Sequence, residues 1–69
     1  MPLTLAKEGD TLTIKKIGGN AETRKFLSNL GFLPGESVTI ITDTGGNLIV
    51  TVKGTRVAVS REMACRITV

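Results

Sequence analysis

Few residues in this chain are fit for chemistry. There is no histidine, which removes the commonest general base and the commonest metal ligand. Cys65 is the one cysteine, set in "MACRI" beside apolar residues. It has no partner thiol, and this setting reads as a buried structural cysteine, since a reactive thiolate needs a cationic, partly open surrounding. Ser28 and Ser60 have no candidate base and read as a helix surface residue and a helix cap. The carboxylates Glu8, Asp10, Glu22, Glu36, Asp43 and Glu62 are scattered. None pair at the spacing of an acid–base or hard-ion site. "GGN" at 18–20 stands between a strand and a helix, as a phosphate loop does. No lysine-serine or lysine-threonine pair follows it, so it reads as a turn. The expectation is a protein that is not an enzyme, with no catalytic, cofactor-binding or metal-ligating residues.

Other function classes also fall away on composition. The net charge is +3, and the basic residues are dispersed: Lys15–Lys16, Arg24–Lys25, Lys53 with Arg56, and Arg61 with Arg66. That pattern reads as a solvated surface rather than a phosphate-binding stripe. There is no Trp or Tyr, and only Phe26 and Phe32. An aromatic-lined groove for polyproline ligands, or a stacking platform for bases, lacks its parts. No nucleic-acid partner is expected.

The elements that must position these residues are short. With 69 residues the chain makes one domain, residues 1–69, with one core. No apolar run approaches the roughly 18 residues of a membrane span. "MPLTLAKEGD" lacks a basic start followed by an apolar stretch. With one cysteine, the expected location is cytoplasmic.

Near the start, Thr4 is a candidate cap for a single helical turn that Gly9 stops. "TLTIKKI", 11–17, predicts a strand, with Leu12 and Ile14 alternating against threonines. The alternation breaks at Lys16, and a bulge or strand end there returns Ile17 to the core. Asn20 predicts a helix N-cap, and Glu22 suits the positive end of the dipole. Residues 21–30 keep helical period: Phe26, Leu27 and Leu30 on one face, Arg24, Lys25, Ser28 and Asn29 on the other.

The stretch "FLSNLGFLPGESVTI", 26–40, then specifies a corner through Leu27, Leu30, Gly31, Pro34 and Gly35. Gly31 takes the left-handed position that ends a helix, and Phe32 packs back on the last turn, against Phe26 or Leu27. Leu33-Pro34-Gly35-Glu36 predicts a type II turn. Strands follow at "SVTIIT", "LIVTVK" and "TRVAVS", joined by "DTGGN" and by a tight Lys53-Gly54 hairpin. Ser60 caps one turn, "REMA", and "RITV" closes the chain.

The fold class is therefore mainly β. We expect a small SH3-like barrel of five strands, one α-helix inserted after the first strand, and a short helical turn before the last. The helix would plug one end. Phe32, Leu33, Ile41 and Ile49 are apolar residues left over once the core is filled. With the polar helix face they suggest a partner-binding patch: Arg24, Lys25, Ser28, Phe32 and Leu33.

The run from Phe26 to Gly35, with Gly9, Ile14 and Ile17 before it, resembles the "RL…LG…PG" signature of the FeoA family of ferrous-iron transport accessory proteins. The ending "VKGTRVAVSREMACRITV" is similar to that family's "V.G…AL….A..I.V", with Gly54, Ala58, Ala64, Ile67 and Val69 on the matching positions. Phe26 and Val59 stand where leucine is usual. The resemblance covers essentially the whole chain. It implies an SH3-like barrel and a non-enzymatic adaptor. Such a protein docks on the cytosolic part of a FeoB-type ferrous iron transporter, modulates uptake, and meets the membrane only through that partner. Weak self-association fits the same picture. Similar modules close the C-terminal end of iron-dependent repressors, and with no winged-helix segment before it this chain does not read as one. The alternatives are a nucleic-acid-binding small β-barrel and a metal-sensing regulatory module.

Overall fold

Ile14 marks the place where one extended run changes partners. In the computed structural model, which describes residues 1–69, β1 (Thr11–Thr13) pairs antiparallel with β3 (Ser37–Asp43). Ile14 still donates its N–H to the Glu36 carbonyl at 2.9 Å and accepts from Gly35 N–H at 2.8 Å. One residue later, Lys15 N–H donates to Thr68 O at 2.7 Å, and β2 (Lys16–Ile17) pairs with β6 (Ile67–Thr68). The single strand expected over 11–17 is thus two, and the total is six rather than five. The strand ends where the alternation breaks. The alternative, a bulge there, is absent. The bulge lies in β3 between Ile40 and Thr42, leaving Ile41 exposed.

The larger sheet has the order β1-β3-β4-β5, with β4 at Asn47–Val52 and β5 at Thr55–Ser60. The smaller sheet is β2-β6, extended by an isolated bridge between Pro2 and Thr68. The two sheets do not join into one closed ladder, so the barrel is SH3-like but open. Backbone closure would need strands long enough to reach around, and β2 and β6 have two residues each.

The core follows strand alternation. Leu48, Val50 and Val52 of β4 are buried, facing Val38 and Ile40 of β3 and Val59 of β5. Fourteen residues are buried, all of them hydrophobic. The remaining polar groups therefore stay in water or are satisfied in turns, at little desolvation cost.

α1 (Ala21–Asn29) starts as expected: the Asn20 side chain accepts from Thr23 N–H at 2.8 Å. Its apolar face is narrower than the sequence suggests. Leu27 is fully buried and Leu30 packs on the core, but Phe26 is 49% exposed. At 100° per residue Phe26 lies one step off Leu27, far enough round the helix to stay half in solvent. The helix ends in a complete Schellman pair: Phe32 N–H to Leu27 O at 3.0 Å and Gly31 N–H to Ser28 O at 2.9 Å. Gly31 has φ +105°, the conformation this end demands.

The next turn also follows expectation, with Glu36 N–H donating to Leu33 O at 3.0 Å and Gly35 at φ +91°. The Ser60 side chain caps α2 (Arg61–Ala64) by accepting from Met63 N–H at 3.2 Å. At the start of the chain Thr4 caps nothing. It lies inside a 3-10 turn, Leu3–Leu5, that Pro2 opens without a side-chain cap. Burial of Leu3 holds that turn in place instead.

Candidate functional site

The Schellman end of α1, the proline turn after it, and the sheet change at Ile14 meet on one side of the molecule. Between them lies an open groove of about 310 Å³. Its basic lining is Lys15, Lys16 and Arg24; its apolar lining is Ile17, Phe32, Leu33 and Pro34; Ser28 completes it. Four of the five expected partner-binding residues, Arg24, Ser28, Phe32 and Leu33, are thereby brought to one place. Lys25 is exposed on α1 but does not line the groove.

Phe32 is a correction to its expected exposure. It is 0% exposed, because the Schellman geometry turns C″ back toward the core. It belongs to the floor and offers no protruding face. Leu33, four residues past the last residue of α1, is only partly buried and is the accessible apolar residue of the pair. Ile41 and Ile49 lie on the larger sheet, away from the groove lining, so the patch expected from all four does not form.

Arg24 is held in position. Its guanidinium Nη1 donates to Gly19 O at 2.9 Å. Lys15 and Lys16 follow directly from the sheet change: both side chains are exposed, on the short run that carries the backbone from β1 to β2. Sequence reasoning missed them as site residues by treating them as the fading end of a strand. The signal was present in the broken alternation at Lys16.

Four of the six carboxylates are engaged elsewhere. Asp43 binds Arg61 Nη1 through both oxygens, at 3.0 Å and 2.8 Å. Its carboxyl also accepts from Gly45 N–H at 2.9 Å. The Gly45 N–H and then the Arg61 guanidinium hold the Asp43 pKa below the ordinary carboxylate value. Glu8 accepts from Asp43 N–H at 2.9 Å, and Asp10 from Lys7 N–H at 3.0 Å. Glu36 makes a loose exposed pair with Lys53 at 3.8 Å.

Cys65 is exposed, against expectation, and its thiol donates to Glu62 O at 2.8 Å. The short α2 ends there, so the apolar neighbours in sequence turn inward without it. No three of Cys, Asp and Glu approach closely enough to hold a metal ion, and the nitrogen and sulfur set that zinc favours is missing its histidines. No helix is long and apolar enough to cross a membrane.

Comparison with known proteins agrees with this architecture. The family model described as "FeoA domain" matches residues 1–69. A protein of Methanocaldococcus jannaschii named "Putative Fe(2+) transport protein A" is 32% identical over 68 residues, covering 99% of this chain and 83% of that one. The crystal structure of an iron uptake regulatory protein (FeoA) superposes with a TM-score of 0.91 at 26% identity, covering 97% of this chain and 91% of the other. The zinc complex of Stenotrophomonas maltophilia FeoA, described as a procaryotic SH3 domain protein, superposes with a TM-score of 0.86 at 27% identity. It covers 99% of this chain and 87% of that one. A match over every residue, a homologue at this identity, and an SH3-like open barrel in common lead to one conclusion: this chain belongs to the FeoA family.

Proposed function

We propose that this protein is a non-enzymatic, cytoplasmic accessory of ferrous iron transport, one that docks on the cytosolic part of a FeoB-type transporter and modulates uptake. One observation carries the reading: the residues best suited to hold a partner converge on a single groove. The relatives named for Fe(2+) transport and iron uptake supply the process. Iron itself is the transporter's cargo. The groove is basic and would repel it, so the protein acts by contact with the transporter and not by carrying the ion.

The mechanism follows from rigidity. The Schellman end and the proline turn fix Leu33 and Arg24 relative to the barrel, so little ordering entropy is lost on docking. A partner seated there senses one orientation of the whole domain.

The test is titration of the labelled protein with the transporter's cytosolic domain, followed by NMR, together with ferrous uptake in cells lacking the protein. Shift changes around Lys16, Ser28 and Leu33, with altered uptake, are expected. Absence of binding and unchanged uptake reject the reading.

A further inference from the structure

Of the nine lysine and arginine residues, two sit in ion pairs, Lys53 with Glu36 and Arg61 with Asp43. The three cations of the groove are in none, and no carboxylate lines it. Three like charges gathered around one concavity give it a positive potential that favours an arriving anion. Arg24 is additionally held in place by the Gly19 carbonyl. Between these cations the surface is apolar, with Phe32 beneath and Ile17 and Leu33 partly exposed. A simple anion would leave that apolar surface wet.

We propose that the groove binds an acidic peptide segment bearing one bulky apolar side chain. Its carboxylates meet Lys15, Lys16 and Arg24, and its apolar side chain covers Ile17 and Leu33. This rests on the adaptor reading, and the segment then belongs to the transporter's cytosolic portion. A peptide fits better than the other polyanions. A base would need an aromatic face to stack on, and the Phe32 ring is buried. A lipid surface would need protruding apolar side chains, and the exposed large ones, Met1, Leu5, Phe26 and Ile41, do not line the groove. The volume of about 310 Å³ is at the small end for ligand sites, enough for one anchor rather than a folded domain.

The experiment uses the full chain and short fluorescent synthetic peptides in anisotropy titrations. One peptide has leucine flanked by Asp and Glu; a second replaces the leucine with alanine; a third replaces the acids with lysine. The acidic leucine peptide binds, the alanine version binds more weakly, and the lysine version does not bind. Affinity falls as salt rises from about 0.05 M to about 0.5 M, as expected for exposed charges. Lys16→Glu weakens binding about three- to tenfold, the size of one lost exposed attraction replaced by a repulsion. Arg24→Gln weakens it less, and thermal melts of both variants match the parent.

Equal binding of the lysine peptide overturns the proposal. So does tighter competition for the groove by oligouridylate or by phosphatidylglycerol vesicles. The two readings fail separately. If the acidic peptide binds and the transporter's cytosolic domain does not, the groove chemistry stands and the adaptor role falls. If that domain binds without salt dependence, or away from Lys16 and Leu33, the adaptor role stands and the groove chemistry falls.

Discussion

The two ends of β3 treat charge in opposite ways. They lie about 20 Å apart, the span of a seven-residue strand. At the Asp43 end three charged residues are bound into the fold. Asp43 takes Arg61 and the Gly45 N–H, Glu8 takes the Asp43 N–H, and Arg61 reaches Thr4 O at 3.4 Å. This cluster ties β3, the 3-10 turn and α2 together. At the Ser37 end Glu36 is loosely paired with Lys53, while the groove collects Lys15, Lys16 and Arg24 with no acidic partner. The charges at the Asp43 end are neutralised within the fold, and the three groove cations are in no ion pair.

If the groove end is a rigid floor with a functional rim, floor and rim must respond differently to substitution. The largest effect belongs to the floor. Phe32→Ala should cost about 3–5 kcal/mol, the range for emptying a buried aromatic site, read from urea unfolding. Leu27→Ala should cost about 2–5 kcal/mol, because Leu27 is the one fully buried side chain anchoring α1. If it costs under about 1 kcal/mol, the helix does not rest on the core and the groove loses a wall.

Gly31→Val should cost about 1–3 kcal/mol through backbone strain. A Cβ there would meet Val52 Cγ1 at 3.5 Å, an ordinary contact, so φ +105° is the source of the cost and not a clash. An unchanged melting temperature would show that the helix does not end in the left-handed conformation. On the rim, Lys15→Gln should alter stability by less than about 0.5 kcal/mol, as for surface positions generally, while weakening peptide binding.

The smallest effect tests the other end. Asp43 has a lowered folded pKa, so its link to Arg61 contributes fully above the unfolded value of about 3.9. That contribution is lost as pH falls through the folded value. The stability difference between the parent and Asp43→Asn should therefore be constant from neutral pH down to about 5 and close at lower pH. A difference that persists unchanged into strong acid would remove Asp43 from the cluster.

Local rules made much of the groove legible. Gly31 and the Pro34-Gly35 pair carry their own conformational demands, so the corner was readable from spacing alone. Asn20 and Ser60 announced their caps for the same reason. Thr4 and Cys65 were misread because burial and the helix end, not residue type, decided their roles. Leu3 is what holds the first turn in place, and the early end of α2 leaves the thiol outside. Phe26 is half exposed although it shares the apolar helix face, since helical phase fixes which residues share a face but not how wide a face is covered. Phe32 packs back as its place after the helix end predicts, and so leaves the expected exposed patch.

The amino-acid order by itself determined the turns at Gly31 and Pro34-Gly35, the Asn20 and Ser60 caps and the strand alternation. These depend on φ preferences and side-chain chemistry acting within a few residues. Only the tertiary structure decided that the run after Ile14 leaves one sheet for the other. That change requires partners some twenty to fifty positions away, Glu36 and Thr68. It is also what carries Lys15 and Lys16 to the side of Arg24, turning dispersed charges into one basic groove.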